Sequence, residues 1–298
     1  MNPREPDWSL YRSFLAVLEE GSLSGAARRL GLTQPTIARH VEALEQGFGL
    51  KLFVRSREGL SPTEGALELK PYALSLSATA AAMMRAASGQ GNTVKGSVRV
   101  SAGEIVGVEV LPPAFASLRE RHPALEIELV LSDVIDNLLR READIAVRMI
   151  EPAQEALVVR RIGTVTVGWH AHRRYLDRAG RPKSLEGLRK HSLIGFDRET
   201  PEIRSMRGRI EGGEGLDQIH YTFRTDSSVA QLRAIRAGLG IGYCHVRLAQ
   251  RDKDIERVLP ALRLKLDVWL AMHENLRSTP RCRAVFDGLA AGLMSYVD

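Results

Sequence analysis

Cysteine, aromatic residues and long apolar runs are all scarce in this chain of 298 residues. The two cysteines, Cys244 and Cys282, cannot build a disulfide framework, and a reducing compartment would keep them as thiols. The longest uncharged stretch, Pro71 to Met84, is rich in Ala and Ser and holds a proline. It falls short of the roughly 18 to 20 apolar residues that cross a bilayer, so no spanning segment and no membrane partner is expected. The opening residues mix charges of both signs around no apolar core, unlike a secretory signal, so a cytoplasmic location is expected. No GxGxxG, P-loop, HExxH or GxSxG pattern occurs, and neither catalysis, a cofactor nor a metal is expected. What the chain does have is 44% hydrophobic and 26% charged residues, the balance of a globular protein that can hold two domains.

Net charge is +6, but it does not mark one region as a polyanion binder. Residues 1 to 90 hold 10 Lys and Arg against 9 Asp and Glu, and the remainder holds 32 against 27. A nucleic-acid site must therefore be argued from where the charges sit.

The first 62 residues read as short helices with tight turns. Leu10, Phe14, Leu15, Val17 and Leu18 share a face of a helix that Gly21 stops. Ser24 is expected to cap a second helix carrying Ala26, Ala27 and Leu30, which Gly31 ends. After only Leu32, Thr33 caps a third helix whose Pro35 sits in the first turn, where a missing N–H costs nothing. Two helices joined so closely make a helix-turn-helix. In the third helix Ile37, Val41 and Leu44 must face inward, leaving Gln34, Thr36, Arg39 and His40 outward. These types suit groove reading: Gln pairs with adenine, Arg bonds guanine bidentately, and Thr offers thymine a methyl group. The apolar runs around Arg55-Ser56-Arg57-Glu58-Gly59 then predict a hairpin with a basic tip, a wing whose Arg55 and Arg57 reach phosphates or the minor groove.

The run AARRLGLTQPTIARHVEALEQGFGLKLFVR, Ala26 to Arg55, resembles the DNA-binding signature of the LysR-type transcriptional regulators. Thr33-Gln34-Pro35, Leu44-Glu45 and Leu52-Phe53-Val54-Arg55 carry the likeness, and Ala38 departs from it where the family usually has Ser. The resemblance covers nearly the whole chain. It implies residues 1–62 as a winged helix-turn-helix, 63–88 as a dimerising linker helix, 89–97 as a flexible joint and 98–298 as an effector-binding domain. It further implies double-stranded DNA and a small-molecule effector as partners, RNA polymerase as a candidate partner, and a homotetramer built as a dimer of dimers.

The linker pattern starts at Thr63, a suitable cap, and Leu69, Leu76 and Met83 recur every seven residues, an a/d seam that taken alone favours packing on its own protein over a partner chain; that it pairs two chains is what the resemblance implies. Pro71 predicts a kink or a late start. Ser88 to Ser97 is rich in Gly and Ser and reads as a joint. Beyond it SVRVSA, ALEIELVL, ADIAVRM and TVTVGWH are β-branched runs between helical patterns such as Leu111 to Arg121 and Val134 to Arg141. Such alternation implies an α/β fold with parallel sheets. Asp226 is expected to cap a later helix that stops at Gly238. The order resembles a two-lobed, type II periplasmic-binding-protein-like domain, lobe one being 98–163 with 267–298 and lobe two 164–266. The crossings would fall near Gly163 and Leu266.

Ligands bind such folds where strand C-termini meet helix N-termini. The candidates are Ser101, Ala102, Gly103 and Glu104 after the first strand, Ser132 and Asp133 after the second, and Arg148 after ADIAV. Phe196, Asp197, Thr225, Asp226 and Ser227 complete the set. Family members commonly place Ser or Thr where this chain has Gly103 and Ile105, which weakens an inference to a simple carboxylate effector. Glu104 would repel an anion unless Arg148 neutralises it, and an amine-bearing or neutral ligand stays open. Two rival readings stand beside the regulator: a cytoplasmic binding protein or enzyme on the same fold, and a redox-sensing regulator using Cys244 or Cys282. Cys244-His245 has the residue types of a metal pair, but Gly-Ile-Gly-Tyr-Cys reads as a buried strand in which Cys244 is a small hydrophobe.

Overall fold

The computed structural model describes residues 6–56, 59–88, 93–132, 143–152, 157–213, 216 and 219–298. By contacts the chain divides between Met84 and Arg85 into two compact units. The expected joint lies partly outside the described residues, as do Arg57, Asp133 and the helix expected over Val134 to Arg141.

The first unit opens with helices α1 (Trp8–Glu20), α2 (Leu23–Leu30) and α3 (Gln34–Phe48). Gly21, Gly31 and Gly49 end them in left-handed conformations that cost a glycine little. The cap of α2 is Ser22, not Ser24: Ser22 is extended and its hydroxyl accepts from the Gly25 N–H at 3.1 Å, while Ser24 already lies inside the helix. Strands β1 (Phe53–Ser56) and β2 (Gly59–Pro62) form an antiparallel hairpin with Arg55 opposite Leu60. Phe14, Val17, Ala26, Ile37, Leu44 and Leu52 fill the core, and the rings of Phe14 and Phe53 lie 5.8 Å apart.

Helix α4 spans Glu64–Ser88. Its N-terminus is held by Thr63, whose hydroxyl accepts from Ala66 N–H at 3.2 Å and lies 2.7 Å from the Lys51 carbonyl. The helix starts seven residues before Pro71 and carries it inside, so no late start occurs. Ala66 and Ala73 are buried against the first unit with Leu69 and Leu74 partly so, whereas Tyr72, Leu76 and Met83 are exposed.

The second unit holds one nine-stranded sheet flanked by helices. In chain order its elements are β3 (Gly96–Ala102), α5 (Glu104–Glu109), α6 (Pro112–Arg121), β4 (Leu125–Leu131), β5 (Ile145–Arg148), β6 (Leu157–His172), α7 (Arg173–Ala179), α8 (Leu185–Leu188) and β7 (Leu193–Phe196). There follow α9 (Pro201–Gly208), β8 (Phe223–Thr225), α10 (Ser228–Arg236), β9 (Ile241–His245), α11 (Val246–Ala249), β10 (Ile255–Arg257), β11 (Arg263–His273) and α12 (Pro280–Met294).

The sheet is mixed, which corrects the expectation of parallel sheets. Strands β4, β3 and β5 form one parallel group, and β9, β7 and β8 another. Between them the long strands β6 and β11 run antiparallel to each other, β11 also antiparallel to its neighbour β5 and β6 to its neighbour β9. A chain that leaves one group and later returns to it must run in both directions between them. These strands pass through Gly163 and Leu266, and the register slips between Val268 and Trp269, opposite Gly163. There a side chain would strike Val297, since a Cβ on Gly163 would lie 2.5 Å from it. After β11, α12 packs back on α6, with Gly288 against Leu118 and Gly292 against Ala114. Val98, Val100, Ile145, Val165, Val268 and Leu289 form part of the core.

Candidate nucleic-acid interface and ligand cleft

Helix α3 owes its orientation to the amphipathic split in its sequence. Ile37 and Leu44 are fully buried and Val41 nearly so, which leaves Gln34, Pro35 and Arg39 exposed on the other side. Thr33 caps the helix by accepting from Thr36 N–H, and the two threonine hydroxyls lie 2.8 Å apart. Gln34 Oε1 accepts from the Ser24 hydroxyl at 3.2 Å, so the start of α3 is tied to the start of α2. His40 is half-buried rather than free, with Nδ1 2.8 Å from the hydroxyl of the buried Ser13.

The wing is fastened from two sides. The buried Glu45 of α3 accepts from Leu52 N–H at 2.8 Å and Phe53 N–H at 3.4 Å, and pairs with Lys51 at 2.6 Å. Burial alone would raise its carboxyl, but the Lys51 ammonium and the two amides hold it below the usual carboxylate range. Leu60 N–H donates to the Gly21 carbonyl at 2.9 Å, and Gly59, at φ 128°, passes so close that a Cβ would meet that oxygen at 2.7 Å. Arg55 stands exposed on this fastened hairpin. In the sequence Glu45 stands out only as part of the Leu44-Glu45 motif, and its place ahead of Lys51-Leu52-Phe53 is the signal for this role.

In the second unit the expected cleft residues fall into two sets. Ser101 and Arg148 are buried together behind the strand ends: the Arg148 guanidinium donates to the Ser101 carbonyl, the Ser101 hydroxyl and the Val147 carbonyl at 3.2, 2.9 and 2.9 Å. Ala102 is also buried, and its carbonyl accepts from Ser132 N–H at 2.9 Å. Phe196 and Thr225 are half-buried, while Asp197 and Asp226 are exposed. Asp197 N–H donates to the Thr225 carbonyl at 3.2 Å.

The second set centres on Glu104, which follows Gly103 at the start of α5. Its carboxylate accepts from the Ser227 hydroxyl at 2.7 Å, the Ser228 hydroxyl at 3.0 Å and Val229 N–H at 3.3 Å. Glu104 is therefore held by hydrogen bonds from the N-terminus of α10. Burial alone would raise the carboxyl, yet these donors bring it below the usual range. Ser227, not Asp226, caps α10, accepting from Ala230 N–H at 3.0 Å. A second link joins the same helices: Arg236 donates to the two carboxylate oxygens of Glu109 at 3.2 and 3.3 Å. Ser228, Glu109 and Arg236 escaped the sequence reading, and Ser-Ser after Asp226 was the one hint. Two surface hollows of about 510 and 260 Å³ lie elsewhere, between α6 and β4 and between α6 and α12. None of the expected cleft residues lines them.

Both thiols are buried and pushed up to about 12, chiefly by that burial. Such thiols hold almost no nucleophilic thiolate at neutral pH. Cys244 and His245 point apart, Cys244 lying 3.4 Å from His170 Nδ1 and His245 against the Tyr296 hydroxyl, so they are not a ligand pair. No helix among the described residues is long and apolar enough to cross a membrane.

Comparison with known proteins agrees with both units. Residues 8–67 match the bacterial regulatory helix-turn-helix protein family model of lysR type, and residues 91–293 match the LysR substrate binding domain. A probable HTH-type transcriptional regulator, LtrA of Klebsiella pneumoniae, is 27% identical over 292 residues, 96% of this chain and 93% of that protein. The structure of CrgA, a LysR-type transcriptional regulator from Neisseria meningitidis, superposes with a TM-score of 0.60 at 23% identity, covering 97% of this chain and 99% of that one. Full-length CbnR complexed with its target DNA superposes with a TM-score of 0.62 at 21% identity, covering 96% and 99%. A helix-turn-helix with a fastened wing, followed by a mixed-sheet domain of two strand groups, thus has its counterpart in one family, and the chain belongs to the LysR family of transcriptional regulators.

Proposed function

We propose that the protein regulates transcription by seating α3 in the major groove of operator DNA, with Gln34, Thr36 and Arg39 at the base edges and Arg55 of the wing on the sugar-phosphate backbone. The carrying observation is the division of α3: Ile37, Val41 and Leu44 are spent on the core, and Arg39 projects from the opposite face of a helix capped by Thr33. CbnR, whose fold this chain shares, has been solved on its target DNA, which supports the same use here. Two chains pair through Leu76 and Met83 of α4, since a two-fold dimer matches two half-sites, and dimers pair again into a tetramer. A small molecule bound at the second unit shifts the equilibrium between arrangements of this assembly in the cytoplasm. Buried thiols speak against a redox trigger, and no observation favours a catalytic use of the fold.

The test is operator selection from random DNA, followed by Arg39→Ala. This variant should lose on the order of 1 to 3 kcal/mol at the selected site and relax base preference at one position per half-site. Arg55→Ala should weaken specific and nonspecific binding alike and flatten the salt dependence. Unchanged sequence preference in a folded Arg39→Ala protein would overturn the assignment of α3.

A further inference from the structure

In the second unit, the N-terminus of α10 already holds an anion, and that anion belongs to the chain itself. Helix α10 has nine residues, and its first turn offers free N–H groups and the positive end of the helix dipole. The Glu104 carboxylate takes this place with both oxygens, one on Ser227 and the other on Ser228 and Val229. The Ser227 hydroxyl is committed at the same time to Ala230 N–H, so the turn has little left to offer a newcomer.

The two partners come from opposite halves of the sheet. Glu104 follows β3, in the group β4-β3-β5, while α10 leads into β9, in the group β9-β7-β8. Among the described residues only β6 and β11 bridge those groups within the sheet, so contacts between α5 and α10 bear directly on their separation. Two links lie along this helix pair: Glu104 meets the start of α10, and Glu109 at the other end of α5 meets Arg236 at the other end of α10. Arg251, after α11, also donates to the Glu109 carbonyl at 2.6 Å and ties α5 to that segment. The carboxylate stays ionised at neutral pH because its donors favour the charged form.

We propose that Glu104 is an internal latch: its carboxylate occupies the anion place at the N-terminus of α10, holds the two strand groups together without a ligand, and bars free carboxylates from that place. An effector bearing an anionic group must displace Glu104 to reach the turn, so binding and unlatching are one event. An effector without such a group leaves the latch shut. Only the consequence for regulation rests on the reading of this unit as an effector domain; the latch itself is a property of the folded chain.

The probe is sodium acetate, titrated into the full-length protein at constant ionic strength against chloride. Wild-type protein should show no stabilisation by acetate beyond chloride. Glu104→Ala should melt lower and recover saturably with acetate, by about 2 °C or more, as expected when a ligand binds only the folded state. Adding Ser227→Ala and Ser228→Ala to that variant should abolish the recovery. Equal stabilisation of wild type and Glu104→Ala would show that the place is open, and no response in Glu104→Ala would show that no anion place exists; either overturns the latch. Should Glu104→Ala fail to fold, Glu104→Gln keeps the size of the side chain and removes its charge. Amide exchange at Val229 should then be at least tenfold faster than in wild type, and an unchanged rate overturns the proposal. No readout involves operator or effector. Failure of acetate recovery therefore strikes the latch alone, whereas loss of sequence-specific DNA binding strikes the proposed function alone.

Discussion

His170 and His245 are kept neutral by the fold. Burial pushes both down to about 4 from the ordinary 6.5; for His170 a 2.8 Å contact with the Gly168 carbonyl opposes the shift and Arg257 adds to it. The sign of the pH dependence follows. Below 6.5 the unfolded chain takes up protons that the folded chain refuses until about 4, so stability is full above pH 6.5 and drains away between 6.5 and 4. Each ring contributes on the order of 3 kcal/mol over that window. Glu45 and Glu104, held below the usual carboxylate range, add their losses only at more acid pH. Urea titrations at pH 7.5, 6 and 5 will read this directly, and a midpoint that does not move between them would mean that both rings are solvated. The same scale shows why these roles were hidden in the sequence. Cys244-His245 reads as an adjacent pair, yet a strand sends neighbouring side chains to opposite faces, and only the tertiary partners His170 and Tyr296 say what each one does.

At the scale of elements, helix ends decided where the sequence reading held and where it slipped by a residue or two. Thr33 and Thr63 were legible as caps because each precedes an unambiguous helical pattern. Ser22 and Ser24 both had the chemistry to cap α2, and the choice fell to Ser22 because Gly21 turns the chain so that Ser22 is extended at φ −154°. Ser22→Ala should therefore cost about 1 kcal/mol of stability, and Ser24→Ala much less, since Ser24 is exposed and gives only a bond to Gln34. Denaturant melts of the two variants rank the caps; the reverse order would return the cap to Ser24. Helix α4 presents Leu76 and Met83 to solvent, 45% and 66% exposed, on a helix whose other side is spent on Ala66 and Ala73. Placing a carboxylate in a pairing seam is strongly disfavoured, so Leu76→Asp should separate chains that pair there. Sedimentation at micromolar protein reports the mass, and an unaltered assembly would put the pairing surface elsewhere.

For the molecule as a whole, one buried ion pair stands out in the second unit. Asp144, just ahead of β5, takes two bonds from the Arg85 guanidinium at 3.0 and 3.2 Å and a third from Arg99 N–H of β3 at 2.9 Å. Arg281 of α12 in turn donates to the Arg85 and Ser97 carbonyls at 2.6 and 3.1 Å. Removing one partner of a buried pair leaves the other uncompensated, so Asp144→Asn should destabilise this unit by about 3 to 5 kcal/mol. The transition of the second unit in calorimetry should fall accordingly, while that of the first should stay in place. A loss below 1 kcal/mol would mean that water reaches the Arg85 guanidinium. None of these four residues drew notice in the sequence, because they lie at positions 85, 99, 144 and 281 and meet only through the packing of β3, β5 and α12.

By itself the sequence determined what depends on neighbours in the chain: the three helices and the glycine stops of the first two, the division of α3 into a core face and an outward face, the wing, and the alternation of strands and helices. Short-range sterics, capping and hydrophobic period dictate these, and residues at one to seven positions' distance carry the signal. The tertiary structure alone decided the antiparallel course of β6 and β11, the burial of Arg148 with Ser101, and the capture of Glu104 by α10. Each joins segments tens of residues or more apart, 123 in the case of Glu104 and Ser227. Whether a carboxylate faces a ligand, an arginine or a helix end depends on which donors the folded chain brings within 3 Å or so, and local pattern holds no record of that.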